Sequence, residues 1–161
     1  MDRAEYLRGV SEFFYQGEQI GEVVSSFFVA REPDPVRRYK WATLLQLETE
    51  TKARLRPLLM RLGLGVEQTD ISAQAAGFTE AAAGKTWHEQ MQEIAAVTDF
   101  YLEKFRAIEA AAPDGEEREM ARAMVAHETA INNFAKREVA GDSANSEADM
   151  AAQLSWPLPR P

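Results

Sequence analysis

Between Asp34 and Gly63 the chain carries a stripe that only a long, core-facing helix satisfies. Trp41, Leu45, Glu48, Lys52, Leu55, Leu59 and Leu62 recur at alternating spacings of three and four. Asp34 supplies an N-cap, Pro35 the first helical position and Gly63 a stop. A helix of that length is a rod about 40 Å long, and short elements cannot cover it. It needs partners of similar length, and the chain has three candidates.

Upstream, Tyr6, Leu7, Val10, Phe13, Phe14, Ile20, Val23, Val24, Phe27 and Phe28 predict a helix from Arg3 to Ala30, started by Asp2 with Glu5. Gly17 and Gly21, four residues apart on one face, allow a close helix approach there. Downstream, Thr86 and Glu89 form a capping box for a helix reaching Ala112, with core line Trp87, Met91, Ile94, Thr98, Tyr101, Phe105 and Ile108. Past Pro113-Asp114-Gly115, Asp114 with Glu117 reads as the cap of a last helix. That helix follows Met120, Met124, His127, Ile131, Phe134 and Glu138 and stops at Gly141.

The connector from Gly63 to Lys85 has room for one short helix, Ile71 to Ala76, and is long enough to cross the whole assembly. Short turns elsewhere make each flanking pair antiparallel. The expected fold is therefore all-α: a four-helix bundle over residues 1–141 with one long crossover between helices two and three. Residues 142–161 form a tail with a short helix from Ser146 to Leu154, Ser146 and Asp149 being spaced as its capping box. Leu154 and Trp156 are expected to strap it down.

Net charge is −8, which argues against nucleic acid or an anionic membrane as partner. The absence of cysteine excludes thiolate chemistry, disulfides and cysteine metal sites, and two histidines are too few for a His₃ zinc site. No apolar run is long enough to span a bilayer, and the N-terminus lacks a signal-peptide pattern, so the cytoplasm is the expected compartment.

Ionisable residues on core-facing stripes are where chemistry is to be sought, because burying them unpaired is costly. Glu18, Glu48, Tyr101 and His127 all fall near the midpoints of their helices, with Glu128 beside His127. Helices of equal length bring their midpoints to one height. A layer of carboxylates and one imidazole suits a divalent ion such as iron or manganese. His88, in the first turn of its helix, reads as solvated, and Glu138 as paired near its helix end by Lys136, Arg137 or water.

With those residues at one height, the chain resembles the ferritin-like superfamily of di-iron and di-manganese carboxylate proteins, from about Asp2 to Gly141. That resemblance implies a glutamate on two helices and Glu-x-x-His on the other two. Glu18 matches the first glutamate and Glu48 the second, but Thr51 stands three residues after Glu48 where a histidine would follow. On the last helix Met124 precedes His127 by three and Ile131 follows Glu128 by three; the third helix offers Glu93 or Tyr101. The implied centre is a reduced or vestigial one: Glu18, Glu48, His127 and Glu128 as metal ligands, Lys52 and Tyr101 outside them.

Three readings stay open. One is a working iron- or manganese-dependent oxidoreductase. Another is a metal-free helical binding or assembly module, a homodimer for example, in which the Lys52 ammonium supplies the charge that a metal would bring. The third is a bundle of the haem-oxygenase or thiaminase kind that holds a small molecule.

Overall fold

The computed structural model describes residues 1–82 and 84–161, and its regular elements are all helices. Helix α1 covers residues 3–29 as α-helical Arg3–Gly9, π-helical Val10–Tyr15 and α-helical Gln16–Val29 without a break. It is followed by α2 (Pro35–Arg61), α3 (Ser72–Ala82), α4 (Trp87–Ala111), α5 (Glu116–Val139) and α6 (Ala148–Ala151). None of the described helices is long and apolar enough to cross a membrane.

The start signals act as their chemistry requires at three of the four long helices. Asp2 and Glu5, and Thr86 and Glu89, close reciprocal capping boxes, while the Asp34 carboxylate accepts from the Arg37 N–H at 2.9 Å. The fourth departs from expectation. Helix α5 is preceded by Gly115 at φ +94°, with no side-chain cap, and Asp114 instead pairs with Arg118 at 2.9 Å. Three acidic residues in the first turn of α5 offset the missing cap by facing the positive end of the helix dipole.

The π-helical stretch of α1 was not anticipated. Its wider turn is closed by the Gln16 N–H donating to the Ser11 carbonyl, five residues back. In a straight α-helix, positions four apart drift by about 40° around the axis. The π turn removes much of that drift, so Val10, Phe14 and Glu18 all stay buried.

Contacts give the helix directions. Phe28 stacks on Trp41, Glu22 meets Thr49 and Lys52, and Tyr15 meets Arg56, so α1 and α2 are antiparallel. Trp87 with Glu138, Asp99 with Lys136 and Glu109 with Arg122 make α4 and α5 antiparallel. Lys40 with Glu138 and Arg61 with Glu116 do the same for α2 and α5, and Gly9 against Ile108 with Phe14 against Phe105 for α1 and α4.

The connector after α2 runs along α1. Tyr15 donates to the Val66 carbonyl at 2.6 Å, and the Gln19 amide both donates to the Glu67 carbonyl and accepts from the Thr69 N–H. Its helix α3 begins and ends later than the predicted Ile71–Ala76. The predicted tail helix is also shorter, Ala148–Ala151 in place of Ser146–Leu154. Its expected cap, Ser146, donates to Glu138 instead. Leu154 packs on the core as expected, whereas Trp156 is 73% exposed; the Ser155 and Trp156 N–H groups hold the tail by donating to the Glu50 carboxylate.

Two apolar clusters fill the interior. One gathers Tyr6, Val10, Phe14, Leu55, Leu59, Phe105, Ile108 and Met124; the other Trp41, Leu44, Leu47, Met91, Ile131, Phe134 and Met150. The predicted α2 stripe is buried at Trp41, Glu48, Lys52, Leu55 and Leu59; Leu45 and Leu62 are only partly buried, and Leu44 and Leu47 are buried beside the line. Between the clusters, along every long helix, lie buried polar residues: Glu18, Glu48 with Thr51, Thr98, and His127 with Glu128.

Candidate metal centre

Each member of this polar layer is delivered by a local feature of its helix. Glu18 follows the π turn of α1. Glu48 continues the α2 stripe, and its carboxylate fills the space against Gly21 that a side chain there would need, since a Cβ at Gly21 would overlap it. His127 faces inward from the middle of α5 and is 1% exposed; Glu18 is 2% exposed.

The imidazole of His127 stands between the two glutamates. Its Nε2 lies 3.2 Å from Glu18 Oε1 and 3.6 Å from Glu48 Oε2. Its Nδ1 lies 3.2 Å from Thr51 Oγ1, and that hydroxyl accepts from the Arg54 guanidinium at 2.9 Å. Despite the short approach to Glu18, His127 Nε2 has no hydrogen-bond partner among the described residues, and neither has Glu18 Oε2. Two buried polar atoms on neighbouring side chains are thus left orphaned, a rare and costly condition.

The electrostatics agree. Burial first, then the charge and hydrogen bond of Glu48, push the Glu18 carboxyl well above the ordinary carboxylate range; Glu128 adds to this and Arg54 opposes it. Burial and then Glu48 likewise raise Glu128 well above that range. These carboxylates crowd one another, and a cation or a shared proton relieves them.

One nitrogen and two carboxylate oxygens from Glu18, Glu48 and His127 lie within 4.8 Å of one another. Ligands on opposite sides of a first-row ion stand about 4.2 Å apart, taking bonds of about 2.1 Å. The separations of His127 Nε2 from the two glutamates, 3.2 and 3.6 Å, fall within that span, and the orphaned Nε2 and Oε2 are lone pairs such an ion would use. Thr51 fixes the outer edge of the imidazole, the part a metal-bound histidine needs held. The donor set therefore fits a hard or borderline divalent metal.

The other named residues fall around this triad. Glu128, the next residue of α5 and turned about 100° from His127, is also buried and lines a cavity beside the triad. The Tyr101 ring lines that cavity too, edge-on to Phe13 and Phe105, and its hydroxyl is raised by burial and then by Glu128. Lys52, expected to face Glu48, has its ammonium on Glu22 instead. Sequence reasoning did not assign Thr51 or Arg54 a role. The signal was present in Thr51, which stands three residues after Glu48, where the resemblance asks for a histidine.

Glu138 makes a second buried polar cluster at the far end of α5. Its carboxylate accepts from Lys40 Nζ at 2.5 Å, Trp87 Nε1 at 2.7 Å, Ser143 Oγ at 2.6 Å and Ser146 Oγ. Lys40 also donates to the Ser143 carbonyl at 2.7 Å. The expected partners Lys136 and Arg137 turn to Asp99 and Asp142.

Comparison with protein-family models, with curated proteins and with solved structures finds no match to this chain.

Proposed function

We propose that the four long helices form a ferritin-like four-helix bundle with one long crossover, and that Glu18, Glu48 and His127 bind a single divalent iron or manganese ion within it. The observation that carries this reading is the pair of orphaned buried atoms, Glu18 Oε2 and His127 Nε2, on side chains that already converge. The site is a reduced form of the two-metal arrangement. The Thr51 hydroxyl, at the place of a second histidine, serves the first one from behind.

In this reading Glu18 and Glu48 neutralise the ion, His127 adds one neutral nitrogen, and Glu128 lies close enough to tune the charge of the set. A bound ion of this kind supplies Lewis-acid or redox chemistry at the cavity wall. Oxygen-dependent turnover of an organic molecule by iron-loaded protein would extend the reading to an oxidoreductase.

The test is a titration of chelator-treated protein with Mn(II), and anaerobically with Fe(II), followed by calorimetry and thermal unfolding. One ion per chain is expected, with stabilisation of about 2.7 kcal/mol at a hundredfold excess over Kd. His127→Ala and Glu48→Gln should each remove it. Absence of binding to the unaltered protein sinks the proposal.

A second reading rests on the crowding of the two acids: after burial, the charge of Glu48 is the largest influence raising the Glu18 carboxyl. A shared proton can hold them without metal, making the layer a register device between helices. The same titration separates the two.

A further inference from the structure

A cavity of about 150 Å³ adjoins the triad, walled by side chains from all five helices α1 to α5. Protein interiors are close-packed, and voids larger than a water molecule are few. An apolar space of this volume stays dry and accepts a benzene ring. What it takes up is decided by the chemistry of its walls.

Those walls are aliphatic and aromatic: Val24 and Phe28 of α1, Leu44 of α2, Phe78 of α3, Ile94 and Val97 of α4. The neutral polar groups on the same residues' neighbours are closed to an occupant. Ser25 Oγ, Trp41 Nε1 and Gln90 Oε1 are sealed within the protein, so they offer the cavity neither donor nor acceptor. The Thr98 hydroxyl is already used, donating to the Ile94 carbonyl at 2.7 Å and accepting from the Asn132 amide at 2.8 Å. Glu93 has its carboxylate on Lys85. The ionisable groups that remain on the wall are all acids: Glu18, Glu48, Glu128 and the Tyr101 phenol. Among the described residues no Lys, Arg or His lines the cavity. An anion would therefore meet like charge with no cation to pair it, and a strongly polar molecule would give up water without regaining its hydrogen bonds.

We infer that this cavity binds a neutral, apolar organic molecule about the size of one aromatic ring. Burial of hydrocarbon surface against Val24, Phe28, Ile94 and Val97 drives the binding, and the acidic end of the wall excludes carboxylates. Phe78 lines the cavity and is 37% exposed, which gives an occupant a route in at α3. The inference goes beyond the metal proposal and stands on the cavity alone.

Toluene and benzoate are the probes, since they share a ring and differ in whether a methyl or a carboxylate is attached. Binding is measured on the full chain by ligand-observed NMR with chelator present, so failure of the metal reading leaves the result intact. Toluene should bind saturably, and benzoate at least tenfold more weakly. Val24→Phe and Val97→Phe enlarge two half-buried wall residues on different helices, and each should weaken toluene binding at least tenfold. Circular dichroism confirms that each variant is folded, and where one fails to fold the other decides. No saturable binding of toluene, benzoate binding as tightly as toluene, or undiminished toluene binding to the folded filled variants overturns the inference.

Discussion

Glu138 and Glu18 are both glutamates withdrawn from water among the same helices, and their surroundings are opposite. Glu138 is met by an ammonium, an indole N–H and two hydroxyls. Burial pushes its carboxyl up, but the hydrogen bonds from Lys40, Ser143, Ser146 and Trp87 outweigh that and hold it below the ordinary range. Glu18 is met by another carboxyl group and by an imidazole whose near nitrogen is out of line, and it is held well above that range. A buried carboxylate is a structural fastening when the chain brings donors to it. Where the chain brings further acceptors instead, the missing positive charge has to come from a proton or a ligand.

The largest test of this contrast is stability. Lys40→Met leaves Glu138 buried without its cation and should cost about 3–5 kcal/mol in urea unfolding. Glu18→Gln, measured with chelator present, should leave stability within about 1 kcal/mol of the parent or raise it, because it removes a crowded acid. Equal losses would erase the distinction between the two clusters.

A smaller effect is expected in metal affinity. Gly21→Ala puts a methyl group where the Glu48 carboxylate sits and should weaken Mn(II) binding at least tenfold, about 1.4 kcal/mol. The gain in helix propensity, about 1 kcal/mol, offsets the strain, so Tm should move little while affinity falls. Thr51→Val frees the back of the His127 ring and should weaken binding by about tenfold. If Tm and affinity fall together in both variants, the glutamate and histidine are acting only as packing.

The gentlest test is pH, where the two clusters should pull in opposite directions. Glu138, held low, contributes stability that is present above the ordinary carboxylate value of 4.5 and is lost as pH falls through its own lower value. Glu18 and Glu128, held high, contribute stability that is present below 4.5 and is lost as pH rises through their raised values. Thermal unfolding of chelator-treated protein against pH should fall off on both sides. Lys40→Met should flatten the acid side and Glu18→Gln the alkaline side.

Much of this was legible in the residues. Helical period and cap signals located the four long helices, because capping boxes such as Thr86 with Glu89 are local chemistry. The meeting of Glu18, Glu48 and His127 followed from equal helix lengths, which align midpoints whatever the side chains do. What the residues did not disclose depends on partners distant in sequence. Lys52 shares a helix face with Glu48, yet its flexible stem reaches Glu22 on another helix. Glu138 takes Lys40 from α2 and Trp87 from α4, in place of the basic residues beside it in sequence. Asp114 has the right spacing for a cap, but Gly115 takes the cap position and leaves Asp114 to Arg118. The cavity was illegible for the same reason: unfilled volume depends on how side chains from five helices meet, and no single stretch encodes it.

The π turn in α1 works as a phase setting for the whole chain. A helix is read by its neighbours as a sequence of angles, and one residue more or fewer rotates everything beyond it by about 100°. The turn at Val10–Tyr15 divides α1 into a part whose angles suit the Phe105 end of α4 and a part whose angles present Glu18 to His127. Shortening that turn by one residue would leave the composition nearly untouched and the first part in place, yet point Glu18 away from the other two. The convergence of the three side chains is thus keyed to a length, and a one-residue deletion there would break it as fully as replacing the glutamate itself.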